Sequence, residues 1–209
     1  MKNSKPHINV VIFDLFGTLI KFGKMHHPFR TLMKWARENG RQVLPNDART
    51  IMTINGGVDA ISLALNIKPP RALVQKIEAQ IEDEISSISL FSDVVQTLSA
   101  LQSSRVRIGV CSNLAQSYGV AIDKLLVHFD LERFLSYELG AIKPESQMYE
   151  SILDCFGCQP KQCLFVGDTF DADYAGPTAM GMNALHLNRN GLSKVDEINS
   201  LVEVLAYLD

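Results

Sequence analysis

Apolar residues fall along this chain in two alternating rhythms. Short, largely apolar runs rich in β-branched residues occur at 8–13, 106–111, 163–166 and, more weakly, 184–187. Between them, at 94–101, 115–127, 147–155 and 172–180, apolar positions recur at the three-to-four spacing of a helix. Runs this short and this apolar predict strands buried on both faces of a parallel sheet. Strands alternating with helices predict a doubly wound α/β fold of the Rossmann-like kind, joined by right-handed crossovers.

The segment 21–91 breaks the rhythm. It holds no strand pattern but four helical ones, near 29–38, 47–52, 58–65 and 71–85, with Pro69-Pro70 suited to starting the last. We expect a helical cap there, inserted into a core made of 1–20 and 92–209. Ligands of open α/β sheets bind at the carboxyl ends of the strands, so a module inserted after the first strand sits over the site.

Composition narrows the function classes. The chain has 209 residues, 46% hydrophobic and 21% charged, enough for a proper core. A net charge of -3 without a basic stripe argues against nucleic acid or anionic membrane as partner. The run after Lys2 and Lys5 meets Asp14 too soon for an export signal, and no apolar stretch approaches a membrane span, so a cytoplasmic protein is expected. Of four cysteines, Cys155 and Cys158 make one Cys-x-x-Cys, but no second Cys/His pair completes a zinc site. Reduced, structural thiols are expected at these and at Cys111 and Cys163. Nothing in the sequence sets an oligomeric state.

The candidate chemistry lies where the strands end. The first runs into Asp14-Leu15-Phe16-Gly17-Thr18, the second into Ser112-Asn113, the third into Gly167-Asp168-Thr169, with Asp171 and Asp173 close behind. Lys143-Pro144 lies in a loop before a helix. A parallel sheet brings such tips together. Carboxylates at adjacent tips make a hard-oxygen site suited to Mg²⁺. Asp14 could then attack phosphorus, with Lys143, a hydroxyl and backbone N–H groups balancing the charge of the transferred group.

These residues, in this order, resemble the haloacid dehalogenase superfamily, in its branch with a helical cap after the first motif. The resemblance covers nearly the whole chain and implies a hydrolase. It makes Asp14 the nucleophile, Thr18 the threonine closing the first motif, and Ser112 and Asn113 the holders of phosphoryl oxygens. Lys143 becomes the charge-balancing lysine, and Asp168 and Asp173 the acidic fourth motif. Mg²⁺ would sit between Asp14, the Phe16 carbonyl and Asp168, with Asp173 binding directly or through water.

One position departs from the pattern. Phosphatases of this family usually carry an acid–base aspartate two residues after the nucleophile, and here stands Phe16. Three readings stay open. The first is a Mg²⁺-dependent phosphatase of a small phosphorylated metabolite that works without that acid. The second is a 2-haloacid dehalogenase, whose pattern Phe16 and Tyr149 fit but whose metal-free fourth motif the acidic Asp168 and Asp173 do not. The third is a phosphate-binding or regulatory module. In the cap, Asn55-Gly56-Gly57 is the expected substrate-contacting loop, and Arg30, Arg37, Arg41 and Arg49 are candidates for an anion. His26 and His27 are expected as exposed linker histidines. Trp35, Met33, Met52, Met180 and Met182 are expected in the core, and Asp171 in solvent or at a helix cap.

Overall fold

The computed structural model describes residues 7–191 and 196–208; Lys2 and Lys5 lie outside them. Its strands are β1 (Val10–Phe13), β2 (Ile20–Lys21), β3 (Ser89–Leu90), β4 (Arg107–Ser112), β5 (Glu132–Leu135), β6 (Cys163–Gly167), β7 (Asn183–Leu187) and β8 (Glu197–Ile198). Six of them form one sheet in the order β5-β4-β1-β6-β7-β8, every neighbouring pair parallel. The helices are α1 (Pro28–Glu38), α2 (Asp47–Thr53), α3 (Val58–Ala64), α4 (Arg71–Ser87), α5 (Val94–Ser103), α6 (Val120–Leu125), α7 (Ser136–Leu139), α8 (Ser146–Phe156) and α9 (Gly176–Ala179). This is the expected α/β, Rossmann-like architecture.

The central strand explains itself. All four residues of β1 are buried, because side chains of a strand alternate between faces and both faces here are covered. Val11 and Phe13 join the cluster that includes Leu98, Leu101, Val110 and Val166. Val10 and Ile12 join the other, with Met148, Tyr149, Ile152 and Phe165. Each such side chain contributes roughly 1.5–3 kcal/mol by leaving water. Crossovers run outward from β1 to β4 and β5 on one side, then to β6 and β7 on the other. The order reverses beside β1, so its carboxyl end opens onto the crevice where such sheets bind ligands.

Helices α1 to α4 stand between β2 and β3, which pair antiparallel through Ile20 with Leu90 and Lys21 with Ser89. The expectation of no strand in this region is thereby corrected. Two residues per strand are too few for alternation to register in a sequence. Helix α1 begins on Pro28, whose missing N–H costs nothing at a first turn. Leu32 and Ala36 of α1, Ile61 of α3 and Val74, Ile77 and Ile81 of α4 are buried together, in the same cluster as the sheet's α5 face. Met33 and Trp35 pack against that cluster.

Other boundaries differ from expectation. Strand β5 (Glu-Arg-Phe-Leu) buries only its last two residues and β8 has only two in all, so neither shows a pattern. The helix expected over 115–127 is a 3₁₀ turn, Gln116–Tyr118, followed by α6. The helix expected over 172–180 is a π-helical turn, Phe170–Ala175, running into α9. Helix α8 ends at Gly157 in the left-handed conformation that closes a helix, φ 55°. All four cysteines are free thiols, Cys111 and Cys163 buried in the sheet and Cys155 exposed. Among the described residues no helix is long and apolar enough to cross a membrane.

One polar tie joins distant parts of the core. Asp93, just before α5, accepts from both terminal nitrogens of Arg189 (2.9 and 3.1 Å), from Ser200 Oγ and from the Leu201 N–H. Arg189 also donates to the carbonyl of Thr18 at 2.8 Å. Replacing Asp93 with Ala leaves these donors without their acceptor. We expect a loss of about 2–3 kcal/mol, read as a lower urea midpoint at unchanged m-value.

Candidate active site

Four segments converge at the carboxyl edge of the sheet. Asp14 follows β1, and its N–H donates to the Val166 carbonyl of β6 at 2.9 Å, so its placement continues the strand ladder. The chain then turns at Gly17, φ +90°, whose N–H donates to Ile20 O at 2.8 Å. A Cβ on Gly17 would lie 2.2 Å from Asp168 Oδ2, so only glycine lets this turn pass the carboxylate. Gly167 is constrained in the same way, since a Cβ there would meet Asp173 Oδ2 at 2.3 Å.

Lys143 is the electrostatic centre. It is 4% exposed, and Nζ donates to Asp14 Oδ1 at 2.8 Å and to Asp173 Oδ1 at 2.6 Å. Ser112, the last residue of β4, donates its hydroxyl to Asp14 Oδ1 at 3.2 Å. Asp173 is fully buried, and its other oxygen accepts from the Thr169 N–H at 2.9 Å. That π-helical turn is what carries Asp173 inward while Asp171 faces solvent. Asp168 is exposed, and its carbonyl accepts from His186 Nε2 at 3.1 Å.

Asn113 is tied to the loop that carries Lys143. Its side-chain amide donates to Lys143 O (2.8 Å) and accepts from Lys143 N–H (2.7 Å), so it clamps the lysine's backbone. The Thr18 hydroxyl is fully buried, with no hydrogen-bond partner among the described residues.

The charges explain the pKa shifts. Burial is the main cause that raises Asp14 to about 6; Lys143 pulls it down and Asp173 and Asp168 push it up. Asp168, exposed as a residue, is raised too, by the partial desolvation of its carboxyl at the site and then by Asp173. Burial works against the Lys143 charge, but Asp14 and Asp173 outweigh it and hold its pKa above the usual lysine value. Carboxylate oxygens of Asp14, Asp168 and Asp173 all lie within 4.8 Å of one another. Three carboxylates facing one lysine leave excess negative charge, and their hard oxygens suit a divalent cation that would relieve it.

The remaining candidates are distributed as follows. Phe16 stacks on Phe22 (centroids 4.5 Å apart, planes at 13°) and meets the edge of Tyr118 at 6.0 Å. Arg41 is tied within the helical segment, to Asp47 at 2.6 and 2.7 Å and to Leu65 O at 2.9 Å. Arg49 of α2 reaches the core, pairing with both oxygens of Glu145 (2.6 and 2.9 Å) and with Gly140 O. His26 pairs with Asp83 at 2.7 Å. Arg30 and His27 border a hollow of about 240 Å³ with Phe22, Met25, Phe29, Glu84 and Tyr118. Gly56 and Gly57 form the turn between α2 and α3.

The sequence model of the haloacid dehalogenase-like hydrolases matches residues 8–181. This chain belongs to that family. Its segment resembles glyceraldehyde 3-phosphate phosphatase of Methanothermobacter thermautotrophicus, 33% identical over 136 residues, 55% of this chain and 58% of that protein. The chain spans about half the length of the curated relatives it matches. Among solved structures, a HAD phosphatase from Thermococcus onnurineus superposes with a TM-score of 0.65 at 19% identity, over 96% of this chain and 98% of that one. The 2-haloacid dehalogenase of Pseudomonas syringae pv. tomato does so with 0.65 at 20%, over 96% and 98%. At these identities the two structures show the shared fold.

Several residues around the site of this haloacid dehalogenase-like hydrolase carry no motif. Arg189 holds the Thr18 carbonyl, Glu145 anchors Arg49, and Glu84 accepts from the Tyr118 hydroxyl and the N–H groups of His26 and His27. Only Glu145, two places after Lys143, had a sequence neighbour that could have flagged it.

The raised pKa of Asp14 has a consequence for stability. Its charge costs folding energy in full above about pH 6, and the cost vanishes as the pH falls through that value to below the ordinary aspartate range. In metal-free protein we expect Asp14→Asn to melt above wild type at pH 8 and level with it below pH 4. Thermal denaturation across that pH range, in chelator, checks this.

Proposed function

We propose that this protein is a Mg²⁺-dependent phosphatase of a small phosphorylated metabolite, working through an aspartyl-phosphate on Asp14. The observation that carries the reading is three carboxylates meeting at one point beside a single buried lysine. That set suits a divalent cation and a phosphoryl group held together. The name of the glyceraldehyde 3-phosphate phosphatase relative supports a small phosphorylated substrate.

In this reading Asp14, Asp168 and the Phe16 carbonyl hold Mg²⁺, with Asp173 as a further ligand, direct or through water. When bound, Mg²⁺ supplies Lewis-acid neutralisation of the phosphoryl oxygens. Lys143 aims Asp14 and balances charge on the transferred group, Ser112 donates to a phosphoryl oxygen, and Asn113 acts by fixing the Lys143 loop. Thr18 closes the loop with its backbone held by Arg189. Residues 21–91 form a cap on the core of 1–20 and 92–209, with Gly56 and Gly57 on its substrate-selecting loop. The β2–β3 pair is its hinge, and Arg49 with Glu145 holds it against the core. Four free thiols are in keeping with a cytoplasmic protein.

Phe16 favours a second reading, a 2-haloacid dehalogenase, since halide leaves without a proton. Assays of a phosphate monoester and of 2-chloropropionate, each with Mg²⁺ and with chelator, separate the two. We expect phosphate release with Mg²⁺, lost in chelator and lost in Asp14→Asn. Metal-independent chloride release would overturn the phosphatase reading in favour of the second. Stabilisation by Mg²⁺ and phosphate with no turnover of either would overturn both and leave a binding module.

A further inference from the structure

We infer that the site sorts phosphorylated substrates by the basicity of the departing group, accepting acyl and aryl phosphates and turning over phosphorylated alcohols slowly. The inference rests on the phosphatase reading above and names its substrate class.

It follows from where the protons are. Among the described residues, the titratable side chains that the sheet tips bring together are Asp14, Lys143, Asp168, Asp173 and His186, and both ring nitrogens of His186 are engaged, Nε2 with the Asp168 carbonyl and Nδ1 with Glu197. Asp14 attacks. Lys143 donates to two carboxylates, which keep it a cation and so a poor source of protons. Both oxygens of Asp173 are occupied, one by Lys143 and one by the Thr169 N–H. Asp168 belongs to the cation-binding set, and a carboxyl that ligates a cation is deprotonated.

The wall formed just after Asp14 offers no replacement. Leu15 is fully buried, and the Phe16 ring is fixed against Phe22 and Tyr118. The one hydroxyl in that aromatic group, on Tyr118, donates to Glu84. Glu84 in turn accepts from the backbone N–H groups of His26 and His27, so the Tyr–Glu pair is committed to holding the chain before α1. Of the cap's cations, Arg49 is bidentate on Glu145.

The chemistry then divides substrates. As the bond between Asp14 Oδ and phosphorus forms, the phosphorus–oxygen bond to the leaving group breaks and its electron pair stays on that oxygen. A carboxylate or phenolate departs as such. An alkoxide needs a proton, and without a positioned donor its departure is slower by about 10²–10⁴-fold. In the second step water oxygen attacks phosphorus, the bond from phosphorus to Asp14 breaks with its electron pair returning to the carboxylate, and both water protons leave on the released phosphate.

The test compares kcat/KM with Mg²⁺ for acetyl phosphate, 4-nitrophenyl phosphate, phenyl phosphate and glycerol 3-phosphate. We expect the first two to exceed the last by about 10²–10⁴-fold, with phenyl phosphate between. Phe16→Asp should narrow the gap by raising the alkyl rate at least about tenfold, while Phe16→Leu should keep the gap. Glycerol 3-phosphate within about tenfold of acetyl phosphate would overturn the inference and leave the phosphatase reading standing. Release from none of the four would overturn both. Should the variants fail to fold by circular dichroism, the wild-type series decides alone.

Discussion

The Lys143 ammonium, buried between the carboxylates of Asp14 and Asp173, is the contact on which the site is built. Moving such a charge out of water is expensive unless geometry and hydrogen bonds are close to ideal. Here the lysine reaches one carboxylate at the tip of β1 and one in the turn after β6, while Asn113 at the tip of β4 clamps its backbone. Three strands adjacent in the sheet but distant in sequence are therefore locked to one loop. The parallel order of the sheet creates the meeting point, and the lysine makes the meeting favourable. Without it, Asp14 and Asp173 would be two buried like charges, and the fold would resist ionising both.

That constraint also explains which parts of the molecule were legible in the sequence. Strands β1, β4 and β6 are buried on both faces or nearly so, and such burial demands the apolar runs that stand out on reading, while β7 buries only Leu185 and Leu187 and reads more weakly. Asp14, Ser112, Lys143, Asp168 and Asp173 were legible because each sits directly at a strand tip or in a loop whose chemistry is unusual for its surroundings. Edge strands β5 and β8 carry little burial and left little pattern. The π-helical turn over Phe170–Ala175, within which Asp173 meets Lys143, had no signal of its own. Asn113 was visible as a residue but not as a clamp, since an amide's partners depend on a loop thirty positions away.

Contacts between the inserted helices and the sheet were illegible for a related reason: their partners are far apart in the chain and chemically ordinary. Arg49 and Glu145 are separated by 96 positions, and either alone reads as a solvated charge. Together they fasten α2 to the residue that follows Lys143-Pro144. Ser136 adds a second fastening, donating to Met52 O at 2.6 Å and accepting from Leu114 N–H. The helices are thus attached to the core through the loops that carry Ser112 and Lys143. A displacement of α2 would be felt at the lysine.

Phe16 belongs to both systems at once. Its backbone lies in the turn that Gly17 closes against Asp168, and its ring lies among Phe22 and Tyr118, where β2 leads out to the helices. A carboxylate in place of that ring would face an apolar stack and a Tyr–Glu pair already satisfied by the backbone N–H groups of His26 and His27, and it would add another negative charge near Asp14, Asp168 and Asp173. The aromatic side chain instead packs Phe22, just after β2, against the Asp14 loop. The ring therefore ties the Asp14 loop to the chain that leads out to the helices. That packing is a physical reason for an aromatic side chain at this position.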